Sequence, residues 1–80
     1  MKTTVLFFAG LREYAGQAEM ELELSSQACV KDVVDVLKEK GFNPEFFHHL
    51  LFAVNETYAT FETPLFHGDT VALISPVAGG

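Results

Sequence analysis

The sequence predicts an α+β domain in which one mixed sheet carries a single main helix packed across it, and three patterns point there. Glu19-Met20-Glu21-Leu22-Glu23-Leu24 alternates strictly, placing Met20, Leu22 and Leu24 inward and the three glutamates in water. From Val30 the period changes: Val30, Val33, Val34 and Leu37 fall at i, i+3, i+4 and i+7, a stripe along one side of a helix. Runs rich in β-branched and aromatic residues lie near both ends, Thr3 to Ala9 and Thr70 to Ser75, as strands favour. A hairpin cannot bury its apolar face unaided, so the helical stripe must pack across it.

In chain order, Thr3 to Ala9 is the first strand, ended where Gly10 permits a turn. Val5, Phe7 and Ala9 share one face. Leu6 and Phe8 make the other apolar too, which suits a strand covered on both sides or one side awaiting a partner. Leu11 to Gly16 forms one helical turn closed by glycine. The alternating strand comes next, then the helix, which starts near Cys29, an unusual N-cap beside Ser26, and ends before Gly41. Asn43-Pro44 reads as a cap followed by the first position of a short helical turn through Glu45-Phe46-Phe47-His48-His49. Leu51 to Val54 is a buried strand, and Asn55-Glu56-Thr57 turns the chain toward Tyr58-Ala59-Thr60. Pro64 to Asp69 is another turn region, and Thr70 to Ser75 is the last strand. If that strand joins the first in parallel at the sheet centre, the arrangement is a β-grasp; this pairing is inferred from topology, not periodicity.

Composition narrows the function. At 80 residues the chain makes one domain, which buries only about 60–65% of its unfolded surface and leaves little room for a deep internal active site. We expect residues 1–75 to form the domain and 76–80 a flexible tail. With 49% hydrophobic and 20% charged residues the chain is globular, and eight Phe supply much of the burial. The net charge is −6 and the cations Lys2, Arg12, Lys31, Lys38 and Lys40 are scattered, which argues against nucleic acid. Cys29 is alone, excluding an internal disulfide and a cysteine-rich metal site. The opening residues lead directly into a strand rather than a signal peptide, and no apolar run reaches the roughly 18–20 residues of a membrane span. A soluble, cytoplasmic, reduced protein is expected.

The chain closes on Gly79-Gly80 behind a Pro76-Val77-Ala78 connector. Two glycines let a slim tail enter a tunnel closed to bulkier residues, and Pro76 lacks an N–H for further strand pairing. Extended, residues 76–80 reach roughly 16–18 Å. The terminal carboxylate of Gly80 is therefore the expected working group. A frayed terminus is the alternative.

Taken together, Leu6-Phe7-Phe8-Ala9 with Arg12-Glu13 and Gly16, then Ala53-Val54-Asn55, Pro64-Leu65, Gly68-Asp69 and Pro76-Val77-Ala78-Gly79-Gly80, resemble the small, sulfur-carrying subunit of molybdopterin synthase. This is the MoaD type within the ubiquitin-like β-grasp group, and the likeness spans nearly the whole chain. It implies that an E1-like activating enzyme uses ATP to adenylate the Gly80 carboxylate, and that a sulfur donor then converts it to a thiocarboxylate. A carboxylate with pKa near ~3.5 is ionised at neutral pH and a poor acyl electrophile, so adenylation supplies the leaving group. The resemblance further implies transfer of that sulfur to a pterin precursor inside a large catalytic subunit, two carriers sitting on a large-subunit dimer. The carrier would be a non-catalytic part of this sulfurtransferase, with no bound cofactor. A hydrophobic docking patch for both partners is implied at Phe8, Tyr58 and Ile74, and strand alternation agrees by opposing Phe8 to Phe7 and Ile74 to Leu73. Ser75 departs from the pattern, standing where many relatives have a second proline, and the Phe46-Phe47-His48-His49 connector matches no family motif.

Other features read more plainly. His48, His49 and His67 are solvated side chains rather than a metal site, since adjacent histidines do not share a helical face and no carboxylate or cysteine spacing completes a set. Cys29 is a small, partly buried residue rather than a sulfur-handling thiol. Glu19, Glu21 and Glu23 with Asp32 and Asp35 form a solvated face, an acidic surface for a basic partner groove being the alternative. No nucleophile elbow or triad spacing is present, so self-contained catalysis is not expected. Two other readings remain open: a sulfur carrier for thiamine or a ubiquitin-related modifier, and, in a different class, a binding module whose terminus is idle.

Overall fold

The computed structural model describes residues 1–75, so Pro76, Val77, Ala78, Gly79 and Gly80 lie outside the described residues. In chain order the elements are β1 (Lys2–Phe7), α1 (Gly10–Ala15), β2 (Glu19–Glu23), α2 (Val30–Glu39), a 3-10 turn (Pro44–Phe47), β3 (Leu51–Val54), β4 (Thr57–Ala59) and β5 (Thr70–Ile74). Among the described residues the strands form one sheet in the order β2-β1-β5-β3-β4. Strands β1 and β5 run parallel at its centre, while the β1–β2, β3–β4 and β3–β5 pairs are antiparallel. This is the expected β-grasp, including the central parallel pair.

The helical stripe forms one wall of the core. Val30, Val33, Val34 and Leu37 are buried against Val5 and Phe7 of β1, Leu22 of β2, Phe52 of β3, and Val71 and Leu73 of β5. Cys29 starts α2 in a reciprocal capping box with Asp32, and the first turn takes further partners from the 61–65 loop. Val30 N–H donates to Thr63 O at 3.0 Å and Lys31 N–H to Phe61 O at 2.9 Å, while Cys29 N–H donates to Asp32 Oδ2 at 2.8 Å. The 61–65 loop thus satisfies donors that a helix start leaves open, and it seats Leu65 in the core as it does so.

At the other end, α1 closes on Gly16, whose φ of 77° is the left-handed conformation expected of a glycine cap. Tyr14 packs edge-on against Phe42 and Phe46, with centroids at 5.5 and 3.9 Å, and its hydroxyl accepts from Asn43 N–H at 3.1 Å. Asn43 caps the 3-10 turn as read from Asn43-Pro44, its Oδ1 accepting from Glu45 N–H at 2.9 Å.

One detail of the first strand differs from expectation. Ala9 does not extend the inner face; β1 ends at Phe7, and Ala9 is exposed at φ 50° as the residue before α1. The chain must reverse here so that Leu11 N–H and Arg12 N–H reach Phe8 O and Ala9 O, both at 3.0 Å. Phe8 is thereby left at the sheet's rim rather than within a strand.

Candidate functional site

Because α2 covers one face of the sheet, the residues of opposite parity face the other way. Strand register places them in rows. Leu6 pairs with Ala72, Ala72 with Ala53, and Ala53 with Tyr58, giving one row across four strands. Ile74 pairs with Leu51 in the next row. The two alanines put small side chains between large ones, and the result is an open depression of about 610 Å³ lined by Leu6, Phe8, Ala53, Tyr58, Ala72 and Ile74, with Asn55, Glu56 and Thr70 at its polar end.

The three residues singled out from the sequence therefore meet on one surface. Phe8 and Tyr58 are 41% and 73% exposed, and with Ile74 they form one contiguous apolar surface. Tyr58 adds a phenol to an otherwise apolar group, a combination common at protein interfaces. Among the lining residues Glu56 carries the sole charge. Among the described residues that line the depression, none forms a pair of nucleophile and base.

Leu6 joins Phe8 here, as expected of the second apolar face of β1, and Ala53, Ala72 and Glu56, for which no such place was expected, also belong to this surface. Leu6 and Ala72 were within reach of alternation, each lying two residues before Phe8 and Ile74. Ala53 and Glu56 needed the β3–β4 register, which local pattern does not carry.

The other candidate groups stay apart. His48 and His49 stand with ring centroids 6.4 Å apart beside the 3-10 turn, whereas His67 Nδ1 accepts from Lys2 N–H at 3.2 Å. Among the described residues no group of three or more His, Cys, Asp or Glu is placed to hold a metal ion. Cys29 is half-buried at the start of α2. A second concavity, of about 500 Å³, lies between α2 and the 3-10 turn and is lined in part by Val34, Lys38, Phe47, His48 and Phe61. Among the described residues no helix is long and apolar enough to cross a membrane. Pro76 to Gly80, expected from the sequence to be the chemical end of the molecule, follow β5 in sequence and lie outside the described residues.

Known proteins share this architecture at full length. A family model described as "ThiS family" matches residues 5–80. The molybdopterin synthase sulfur carrier subunit of Mycobacterium tuberculosis is 36% identical over 84 residues, which cover 100% of this chain and 99% of that one. Small archaeal modifier protein 1 of Haloferax volcanii superposes with a TM-score of 0.84 at 26% identity, covering 100% of both chains. A protein from the Helicobacter pylori complex of subunits 1 and 2 of molybdopterin-converting factor superposes with a TM-score of 0.74 at 26% identity, again over 100% of both chains.

Proposed function

The chain belongs to the ThiS family, and on that basis we propose that it is the sulfur carrier of molybdopterin synthesis, holding sulfur as a thiocarboxylate on Gly80. The observation that carries this reading is the position of Ile74. It lines the open depression and stands at the end of the central strand β5, so the surface suited to a partner continues in sequence into Ser75 and the Pro76-Val77-Ala78-Gly79-Gly80 segment. A protein docked on that face lies beside Ile74, six residues before Gly80 in sequence.

The chemistry needs two such proteins in succession. In the first, an E1-like adenylating enzyme, a Gly80 carboxylate oxygen attacks the α-phosphate of ATP and pyrophosphate leaves. Sulfide-level sulfur from a donor then displaces AMP from the acyl carbon, leaving the thiocarboxylate. In the second, the large subunit of molybdopterin synthase, the thiocarboxylate sulfur bonds to a carbon of the pterin precursor as that carbon loses its leaving group, and water then cleaves the acyl–sulfur bond, leaving sulfur on the pterin and returning Gly80 as a carboxylate. The carrier supplies the acyl group and the docking face, and its partners supply activation and catalysis, so it is the sulfur-donating subunit and not an enzyme alone. The Helicobacter pylori complex of subunits 1 and 2 supports a large-subunit partner, and a pair of carriers on a large-subunit dimer in the cytoplasm fits the same reading.

The test is direct. Incubated with its cognate adenylating enzyme, ATP and a sulfur source, the chain gains mass equal to one oxygen-to-sulfur replacement, and adding one alanine after Gly80 abolishes the gain. An unchanged mass with active enzyme overturns the proposal. The structural likeness to small archaeal modifier protein 1 favours a second reading, in which the same end is joined to lysines. That reading expects an isopeptide-linked product. If deletion of Gly79 and Gly80 leaves partner function intact, the chain is a binding module with an idle terminus instead.

A further inference from the structure

Glu56 sits where its backbone favours another residue. The two residues between β3 and β4, Asn55 and Glu56, have φ of 49° and 73°, both left-handed, as in the two-residue hairpin turn whose preferred sequence is Asn-Gly. Asn55 suits its place, since asparagine tolerates this region and its side chain is used twice there, by Asp69 and by Thr70. A glutamate in the second place is strained relative to a residue without a Cβ. Among the described residues its carboxylate gains no hydrogen bond or ion pair in exchange. What it does have is a position on the rim of the depression, beside Tyr58.

We infer that Glu56 is the charge-reading group of the open face, receiving an arginine or lysine of the partner protein whose apolar side chain fills the depression lined by Phe8, Tyr58 and Ile74. This rests on the docking role proposed for that face. Charge on the open face is mostly negative, since its one β1 cation, Lys2, shares the parity of Thr4 and Leu6 and stands opposite Glu23. Glu19 extends the Leu6–Ala72–Ala53–Tyr58 row on its far side, through its pairing with Leu6, and Glu21 stands beside it opposite Thr4. Three of the five cations, Lys31, Lys38 and Lys40, belong instead to α2 and its last turn, and Lys31 is already paired with Asp35 at 3.0 Å. The apolar floor thus has acids at both ends and a net charge of −6 behind it. A second copy of this chain would bring glutamates against glutamates, and a phosphate-bearing surface would be repelled outright. A partner with a cation beside an apolar projection meets no such penalty.

The experiment measures binding of the full chain to the cognate large subunit of molybdopterin synthase at low and high salt, for wild type, Glu56→Gln, Glu56→Gly and Phe8→Asp. Glu56→Gln keeps the backbone and loses the charge. We expect affinity to fall about fivefold at low salt, with the difference closing as salt rises. Glu56→Gly loses affinity equally but raises the unfolding midpoint. Phe8→Asp abolishes binding. If Phe8→Asp abolishes binding while Glu56→Gln binds like wild type at low salt, the docking face stands and the role of Glu56 is wrong. If Phe8→Asp also binds like wild type, the docking face itself is wrong and the inference falls with it.

Discussion

Asn55 and Asp69 are joined side chain to side chain, Asn55 Nδ2 donating to Asp69 Oδ1 at 2.9 Å. The same asparagine accepts from Thr70 N–H at 3.0 Å through Oδ1 and donates its own N–H to Thr70 O at 2.9 Å. Asp69 Oδ2 in turn accepts from Phe66 N–H at 2.8 Å. The turn that carries Glu56 is therefore fastened to the loop entering β5. Asn55→Ala removes two side-chain hydrogen bonds and puts alanine in a left-handed conformation, an expected loss of about 1–2 kcal/mol. Urea unfolding checks it, the midpoint falling at unchanged slope. Asn55→Gly, which removes the bonds but suits the backbone, should lose less.

Thr3 lies on the inner face of β1, opposite Leu22, at 1% exposure, and its hydroxyl has no hydrogen-bond partner among the described residues. A buried hydroxyl left unpaired costs about 1–3 kcal/mol. Thr3→Val keeps the branched shape and removes the polar atom, so the variant is expected to be more stable by about 1 kcal/mol. A lower midpoint than wild type would show that the hydroxyl has a partner in solution.

Glu23 tests the acid side of stability. The Met1 ammonium, 3.0 Å away, holds the Glu23 carboxyl below its ordinary value, first by hydrogen bonding and then by charge, with smaller help from the charges of Lys2 and His67. Because the folded value is the lower one, the carboxylate stabilises the fold above its unfolded value and that contribution is lost as pH falls through the folded value. Stability of wild type and Glu23→Gln, followed against pH, should differ at neutral pH and converge once both values have been passed in acid. A difference of constant size throughout would exclude the pairing.

Ala72 lies in the floor of the open depression between Leu6 and Ala53. Ala72→Phe fills the depression on the side away from the helix and should leave the unfolding free energy within about 0.5 kcal/mol of wild type, as for a surface change. Binding to the large subunit should drop at least about tenfold, the scale of losing a central apolar contact. Unchanged binding, measured by titration calorimetry, would place the interface elsewhere.

Much of this molecule is legible in its sequence because its signals are local. Period two in Glu19 to Leu24, the stripe from Val30 to Leu37, the Gly16 cap and the Asn43-Pro44 start each depend on a few neighbouring residues, and each appears in the structure. Phe8 and Ile74 were legible by parity with their buried neighbours. What local pattern could not supply was the register between distant strands, which brings Ala53 beside Ala72 and sets Tyr58 in the same row as Leu6. The reversal at Ala9 was hidden for another reason. Alanine carries no signal for a positive φ, and the conformation is imposed by the hydrogen bonds that start α1.

Strand β5 is the last strand in the chain among the described residues and occupies the middle of the sheet. On a ribosome, β1 and β2 emerge first and β3 and β4 later, yet neither pair has its central neighbour until residue 74 has been made. The closing contacts span almost the whole chain, an arrangement that folds slowly compared with local pairing. Synthesis that stops short of β5 leaves two separate hairpins and no shared face. The shared face is thus conditional on β5, because Leu6 and Ala53 fall into one row only through Ala72 between them.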